Sequence, residues 1–229
     1  MTILAVVFDL DGLMFNTEDV FDISGNELLQ RRGLRMTDEI RNAMLGRRPT
    51  EAIANMLQLT GIREEVDRLI TESHEIFFGL VDEHLKPMTG LFELLDHLEQ
   101  IDMPKAVATS SPRNYMQNIL NRFTLLERFH ETFTAEDVER GKPEPDIYLK
   151  AAKRLGISPH QMMVLEDSEA GTKAASSAGA IAISVPHRHT ARHDFSSATH
   201  IVKSLADPII YQLLETEKTR GDRDRQSRR

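Results

Sequence analysis

Ile3-Leu4-Ala5-Val6-Val7-Phe8-Asp9-Leu10-Asp11-Gly12 is an unbroken apolar run that stops on two aspartates and a glycine. It does not alternate, and it is rich in β-branched side chains. That is what a strand covered on both faces of a parallel sheet requires. It has no basic lead-in and is too short for a signal peptide or a membrane span. Similar runs follow. Ala106-Val107-Ala108 ends at Thr109, Met162-Met163-Val164-Leu165 ends at Glu166, and Ala180 to Val185 ends at Pro186. Thr132-Phe133-Thr134 and Ile201-Val202 read as two further short strands. Helical periods separate the runs, over 91–100, 113–123, 146–155 and 169–178. Strands alternating with helices of this length predict an α/β fold with a doubly wound parallel sheet.

The stretch from Asn16 to Leu85 breaks that rhythm. It carries amphipathic helical patterns over 19–32, 37–44, 49–59 and 64–82, punctuated by Gly33, Gly46 and Gly61. The expected organisation is a sheet domain of residues 1–15 and 86–217, interrupted by an all-helical subdomain of residues 16–85. Residues 218–229 are polar and mostly basic with no apolar period, which predicts a disordered tail. Met44, Met56, Phe77 and Phe78 are expected to form the core of the helical insert. The 229 residues carry no cysteine, which excludes disulfides and thiol chemistry. A cytoplasmic location is the default expectation.

In open α/β sheets ligands bind beyond the carboxyl ends of the strands, so the residues that end the apolar runs belong together. They are Asp9 and Asp11, then Thr109 with Ser110 and Ser111, then Lys142 in the loop before Asp146, then Glu166 and Asp167. Acids crowded at one rim repel each other unless a cation sits among them. Oxygen ligands suit a hard cation such as Mg2+, and a cation beside a lysine and hydroxyls makes a phosphate site. Asp9 and Asp11 stand at i and i+2, which in an extended segment turns both carboxylates toward one ligand. The net charge of −8 argues against nucleic acid as a partner, and any phosphate must be drawn in locally.

Each segment also has a plainer reading. Asp-Leu-Asp-Gly is a strand and a turn. Thr109-Ser110-Ser111-Pro112 can cap the helix that follows. Lys142 can be a solvated turn lysine, and Glu166-Asp167-Ser168 can cap the helix from Glu169. All four plain readings holding independently, in this order and at strand ends, is the less economical account. His187, His189 and His193 cluster in a polar loop. Such a cluster is more often an exposed loop than a zinc site.

These segments resemble the haloacid dehalogenase superfamily, in the branch with a helical cap that is similar to β-phosphoglucomutase. Phe8 to Leu13 resembles its first motif and Ala106 to Ser111 its second. Gly141-Lys142-Pro143-Glu144-Pro145-Asp146-Ile147-Tyr148 resembles the third, and Val164 to Gly171 the fourth. The resemblance implies that Asp9 attacks phosphorus and forms an aspartyl-phosphate. It implies that Asp11 acts as general acid and base and binds Mg2+ through its backbone carbonyl. Thr109 and Lys142 would hold the transferring group, and Glu166 and Asp167 would complete the metal shell. Ser110, Ser111, Glu18, Arg47 and Arg48 are the candidates for substrate recognition.

The sequence departs from the family pattern at three places. Asn16 stands where the motif carries an acid before its threonine, Phe21 stands where β-phosphoglucomutases carry a cap histidine, and their cap arginine for the second phosphate would fall near Pro49, although Arg47 and Arg48 lie close by. These changes favour a phosphatase of a small phosphorylated metabolite over a sugar-phosphate mutase. The candidate substrates are a sugar phosphate, a nucleotide or a phosphoglycolate-like ester. A receiver-type signalling domain also combines acids, a hydroxyl and a lysine, but it has no helical insert. The expected assembly is a monomer or weak homodimer, with neither membrane nor nucleic acid as partner.

Overall fold

The computed structural model describes residues 2–44 and 49–215. Six strands form one sheet: β1 (Ala5–Phe8), β2 (Lys105–Ala108), β3 (Glu131–Phe133), β4 (Met162–Glu166), β5 (Ile181–Ser184) and β6 (His200–Ile201). Their order is β3-β2-β1-β4-β5-β6, and every pairing is parallel. The unbroken apolar runs became β1, β2, β4 and β5, in which every residue is buried.

The strand order fixes where a ligand can bind. From β1 the chain winds outward to β2 and β3, then crosses back to β4 and winds the other way. Neighbouring β1 and β4 therefore send their chains in opposite directions, which opens a crevice beyond their carboxyl ends. Phe8 pairs with Leu165 in the register, and the Asp9 N–H donates to the Leu165 carbonyl at 3.0 Å. Asp9 and Glu166 are thus the first residues on either side of that crevice.

The chain packs as two compact units. One takes the chain up to Phe15 and from Pro87 onward, and the other is Asn16–Lys86. The second unit consists of α1 (Thr17–Gln30), α2 (Asp38–Met44), α3 (Pro49–Thr60) and α4 (Val66–His84). Their apolar stripes meet in a core of Leu28, Leu29, Ile40, Ile53, Met56, Leu69 and Ile76, with Met44 packed against it. Phe77 is fully buried, stacked on Phe21 at 4.3 Å and edge-on to Phe78 at 5.4 Å. Arg32 clamps the unit from its rim, with Nε 2.7 Å from Glu64 and Nη2 2.6 Å from Glu72.

Asn16 closes this unit on itself. Its N–H donates to the Lys86 carbonyl at 3.1 Å, and its Oδ1 accepts from the Lys86 N–H at 2.6 Å. Its Nδ2 donates to the His84 carbonyl at 3.3 Å and to Asp19 at 3.2 Å. An amide can accept on one side and donate on the other, and a carboxylate cannot. That is a physical account of an asparagine where an acid was expected.

In the sheet unit, α5 (Leu91–Gln100), α6 (Arg113–Arg122), α7 (Asp146–Leu155), α8 (Glu169–Ser177) and α9 (Pro208–Glu215) complete the fold. Val7 packs with Ile147, Tyr148 and Ala151 of α7 and Ala174 and Ala175 of α8. Val6 and Phe8, which alternate to the opposite face, are equally buried. The sequence reading passed over α9. Its apolar residues Ile209, Ile210, Leu213 and Leu214 span barely two turns, too short a stretch to display a helical period, and of them Ile210 and Leu214 are buried. Arg47, Arg48 and the tail at 218–229 lie outside the described residues. No described helix is long and apolar enough to cross a membrane.

Candidate active site

The ends of β1, β2 and β4 each deliver one part of the site. Lys142 reaches it from the turn that precedes α7, where the Glu144 N–H closes on the Gly141 carbonyl at 3.0 Å. Its ammonium has three protons and finds three acceptors. Asp9 Oδ1 and Glu166 Oε1 each lie at 2.6 Å and the Ala108 carbonyl at 3.0 Å. The side chain is only 6% exposed, so this is a buried cation held by two carboxylates rather than a solvated turn lysine. Burial alone would disfavour its charge. Asp9 and Glu166 outweigh that and hold its pKa well above the ordinary lysine value.

Asp9, Glu166 and Asp167 each offer an oxygen within 4.8 Å of the other two, and all three are buried. Burial pushes the Asp9 carboxyl well up from its ordinary value. Lys142 opposes the rise, while Glu166, Asp167 and Asp11 add to it. Asp167 is raised in the same way, by burial first and then by Glu166, with Lys142 opposing. One lysine does not neutralise this cluster. The donor set is all oxygen and anionic, which fits a hard divalent cation such as Mg2+.

Glu166 is the most engaged of the three. Its Oε1 accepts from Lys142 and from the Tyr148 hydroxyl at 2.5 Å, and its Oε2 accepts from the Ser168 hydroxyl at 3.1 Å. A Cβ at Gly171 would lie 1.8 Å from Oε1, so only glycine leaves room for this carboxylate under α8. Ser168 also caps α8 by accepting from the Gly171 N–H at 3.0 Å. The capping reading of this segment therefore holds for Ser168, while Glu166 and Asp167 turn to the crevice.

Asp11 is placed differently from what its i, i+2 spacing implied. The chain leaves the extended geometry at Gly12, whose φ is +76°, and the Gly12 N–H closes a tight turn on the Phe15 carbonyl at 2.9 Å. The Asp11 carboxylate therefore swings toward the end of β2. It accepts from the Ser111 hydroxyl at 2.6 Å and the Tyr115 hydroxyl at 2.8 Å, with the Thr109 hydroxyl 3.5 Å away. The Asp9 carboxylate meanwhile lies on Lys142. The hydroxyls after β2 do not cap α6, whose N-cap residue Pro112 makes no side-chain cap. Thr109 Oγ1 instead accepts from the Ser111 N–H at 3.0 Å.

The structure thus brings together Asp9, Asp11, Thr109, Ser111, Lys142, Glu166 and Asp167. Ser110 is exposed beside them. Glu18 lies in the first turn of α1, in the helical unit. Two participants were given no role by the sequence reading, Tyr115 and Tyr148, and His187, read there as part of an exposed loop, is a third. A tyrosine buried on a helix needs a partner for its hydroxyl, which was the available signal for the first two. His187 lies 2.9 Å from Asp167. The other two histidines of its loop do separate work: His193 accepts from the Glu169 N–H at 3.3 Å and His189 from Arg188 at 3.0 Å.

The chain is 32% identical over 206 residues to a bifunctional riboflavin kinase/FMN phosphatase of Arabidopsis thaliana, covering 88% of this chain but only 53% of that protein. It is also 32% identical to a validoxylamine A 7'-phosphate phosphatase of Streptomyces hygroscopicus subsp. limoneus, covering 88% of this chain and 93% of the relative. Among solved structures, CbbY from Rhodobacter sphaeroides in complex with phosphate aligns with a TM-score of 0.77 at 26% identity, covering 90% of this chain and 96% of that one. The family model described as haloacid dehalogenase-like hydrolase matches residues 6–185. That match takes in the chain from β1 through β5, helical insert included, and the chain belongs to the haloacid dehalogenase-like hydrolases.

Proposed function

We propose that the protein is a Mg2+-dependent phosphatase of a small phosphate monoester, working through an aspartyl-phosphate on Asp9. The observation that carries this reading is the Lys142 ammonium, held 2.6 Å from both Asp9 and Glu166 in a buried rim that also contains Asp167. Such a rim is costly as structure alone, because like charges are buried with too few cations. It becomes useful when an anionic ester and a divalent cation complete it.

In this reading Asp9 attacks phosphorus, and the bond from phosphorus to the ester oxygen breaks. Asp11 delivers a proton to the leaving oxygen. A water then attacks the aspartyl-phosphate, Asp11 takes its proton, and inorganic phosphate leaves with Asp9 restored. Lys142 fixes one Asp9 oxygen and leaves the other to react. Thr109 and the backbone at the start of α6 receive the phosphoryl oxygens. Asp9, Asp167, Glu166 and the Asp11 carbonyl are the groups that would hold Mg2+, which supplies positive charge against the acids and the phosphoryl group. Glu18, Arg47 and Arg48, all in the helical insert, are the further candidates for substrate recognition.

Candidate substrates are sugar phosphates, nucleotides and phosphoglycolate-like esters. The test is phosphate release over such a panel with and without Mg2+. Multiple turnovers that need the metal and vanish in Asp9→Asn, with the fold intact, are expected. Near-normal hydrolysis of p-nitrophenyl phosphate by Asp9→Asn would sink the mechanism. A mutase of the β-phosphoglucomutase type would instead return isomerised hexose phosphate with little free phosphate.

A further inference from the structure

His187 follows β5, outside the motif segments, yet its ring reaches the acidic rim. Its Nε2 lies 2.9 Å from Oδ2 of Asp167, and the two side chains are 13% and 6% exposed. The other ring nitrogen, Nδ1, accepts from the His189 N–H at 3.4 Å. A nitrogen that accepts carries no proton, so the proton sits on Nε2 and is donated to Asp167.

The backbone at His187 is held as well as the ring. The His187 N–H donates to the Thr190 hydroxyl at 3.1 Å, and the Thr190 N–H donates back to the His187 carbonyl at 3.0 Å. Thr190 itself is buried. The approach also depends on Gly12. A Cβ there would lie 2.5 Å from Asp167 Oδ2 and 2.7 Å from His187 Nε2, so any side chain would part the pair.

We propose that His187 is a positioning residue for Asp167, which it orients toward the divalent cation without ligating the cation itself. This rests on the metal site put forward above. Two observations place the ring behind the carboxylate. Nε2 carries its proton and has no lone pair to offer. Among the described residues, the donors gathered within ligand distance of one another are Asp9, Glu166 and Asp167, and His187 is not one of them. The His187 Nε2–H occupies Oδ2 and leaves Oδ1 to the cation. Such outer hydrogen bonds fix a ligand's direction, and their loss costs about 10–100-fold in metal affinity.

The test is calorimetric titration of Mg2+ into the metal-free protein without substrate, for the wild type, His187→Ala and His187→Gln. A glutamine amide keeps an N–H donor in the place of Nε2. The expected result is a loss of about 10–100-fold in affinity for His187→Ala and a near wild-type value for His187→Gln. Mn2+ bound to the wild type should show no directly coordinated nitrogen by electron spin echo spectroscopy. Affinity within twofold of wild type for His187→Ala would overturn the proposal, as would His187→Gln being as weak as His187→Ala. A directly coordinated nitrogen would overturn it too, because the ring would then be a ligand. A wild type that binds no divalent cation would instead remove the metal site on which the proposal stands.

Discussion

Lys142 decides the electrostatics of the site because, among the described residues, it is the one cation that touches both Asp9 and Glu166. Lys142→Met should lower kcat by at least about 10²–10³-fold, the usual cost of one preorganised donor. It should also push Asp9 further up, because the group that opposes its rise is gone. Steady-state kinetics and a pH profile check both. Tyr148 is a smaller test of the same cluster. Tyr148→Phe removes one hydrogen bond to the charged Glu166 Oε1 while Lys142 remains as a partner, and should destabilise by about 1.5–3 kcal/mol in chemical denaturation. At this scale the sequence showed residue types but not pairings. Asp9, Lys142 and Asp167 were legible because each ends or precedes an element of one sheet. The partners of Asp11 were not, because Tyr115 reaches it from 104 residues away, through a helix orientation that only packing sets.

The turns and junctions between elements carry as much of the design as the elements do. Gly12 combines a φ of +76° with no room for a Cβ beside Asp167 and His187. Gly12→Ala should cost more than about 1 kcal/mol from backbone strain alone and should weaken Mg2+ binding as well. Thermal melts and calorimetry separate the two effects. Asn16 joins the two ends of the helical unit through an amide that accepts from Lys86 and donates to His84. Asn16→Asp keeps the acceptor and sets a carboxylate oxygen against the His84 carbonyl. Amide exchange at Lys86 should then quicken, and unchanged protection would contradict the clamp. The strands and long helices were legible because unbroken apolar runs and 3.6-residue stripes are local signals. The short edge strand β6 was read one residue late, as Ile201-Val202, and the eight-residue α9 is apolar but too short to display a helical period.

For the whole molecule the acids at the crevice make stability depend on pH and on metal. Asp9 and Asp167 have native pKa values raised well above 3.8. A raised native value means that their contribution to folding is fully present below the unfolded value and is lost as pH rises through the native one. The metal-free protein should therefore lose stability as pH climbs from about 3.8 until these carboxyls have ionised in the folded state. A divalent cation should offset the loss, so the gain in melting temperature on adding Mg2+ should grow with pH over that window. A gain that shrinks with rising pH would contradict the assignment. The net charge of −8 gives no general attraction for a phosphate ester, so capture depends on this one rim. The most direct measurement is therefore on the rim itself. The protein is mixed with p-nitrophenyl phosphate and Mg2+, quenched in acid during turnover, and mapped by peptide mass. The account predicts a hydroxylamine-labile phosphoryl group on Asp9, formed and lost fast enough to lie on the path to free phosphate. Phosphate release with no phosphoryl group on Asp9, or with one on another residue, would contradict it.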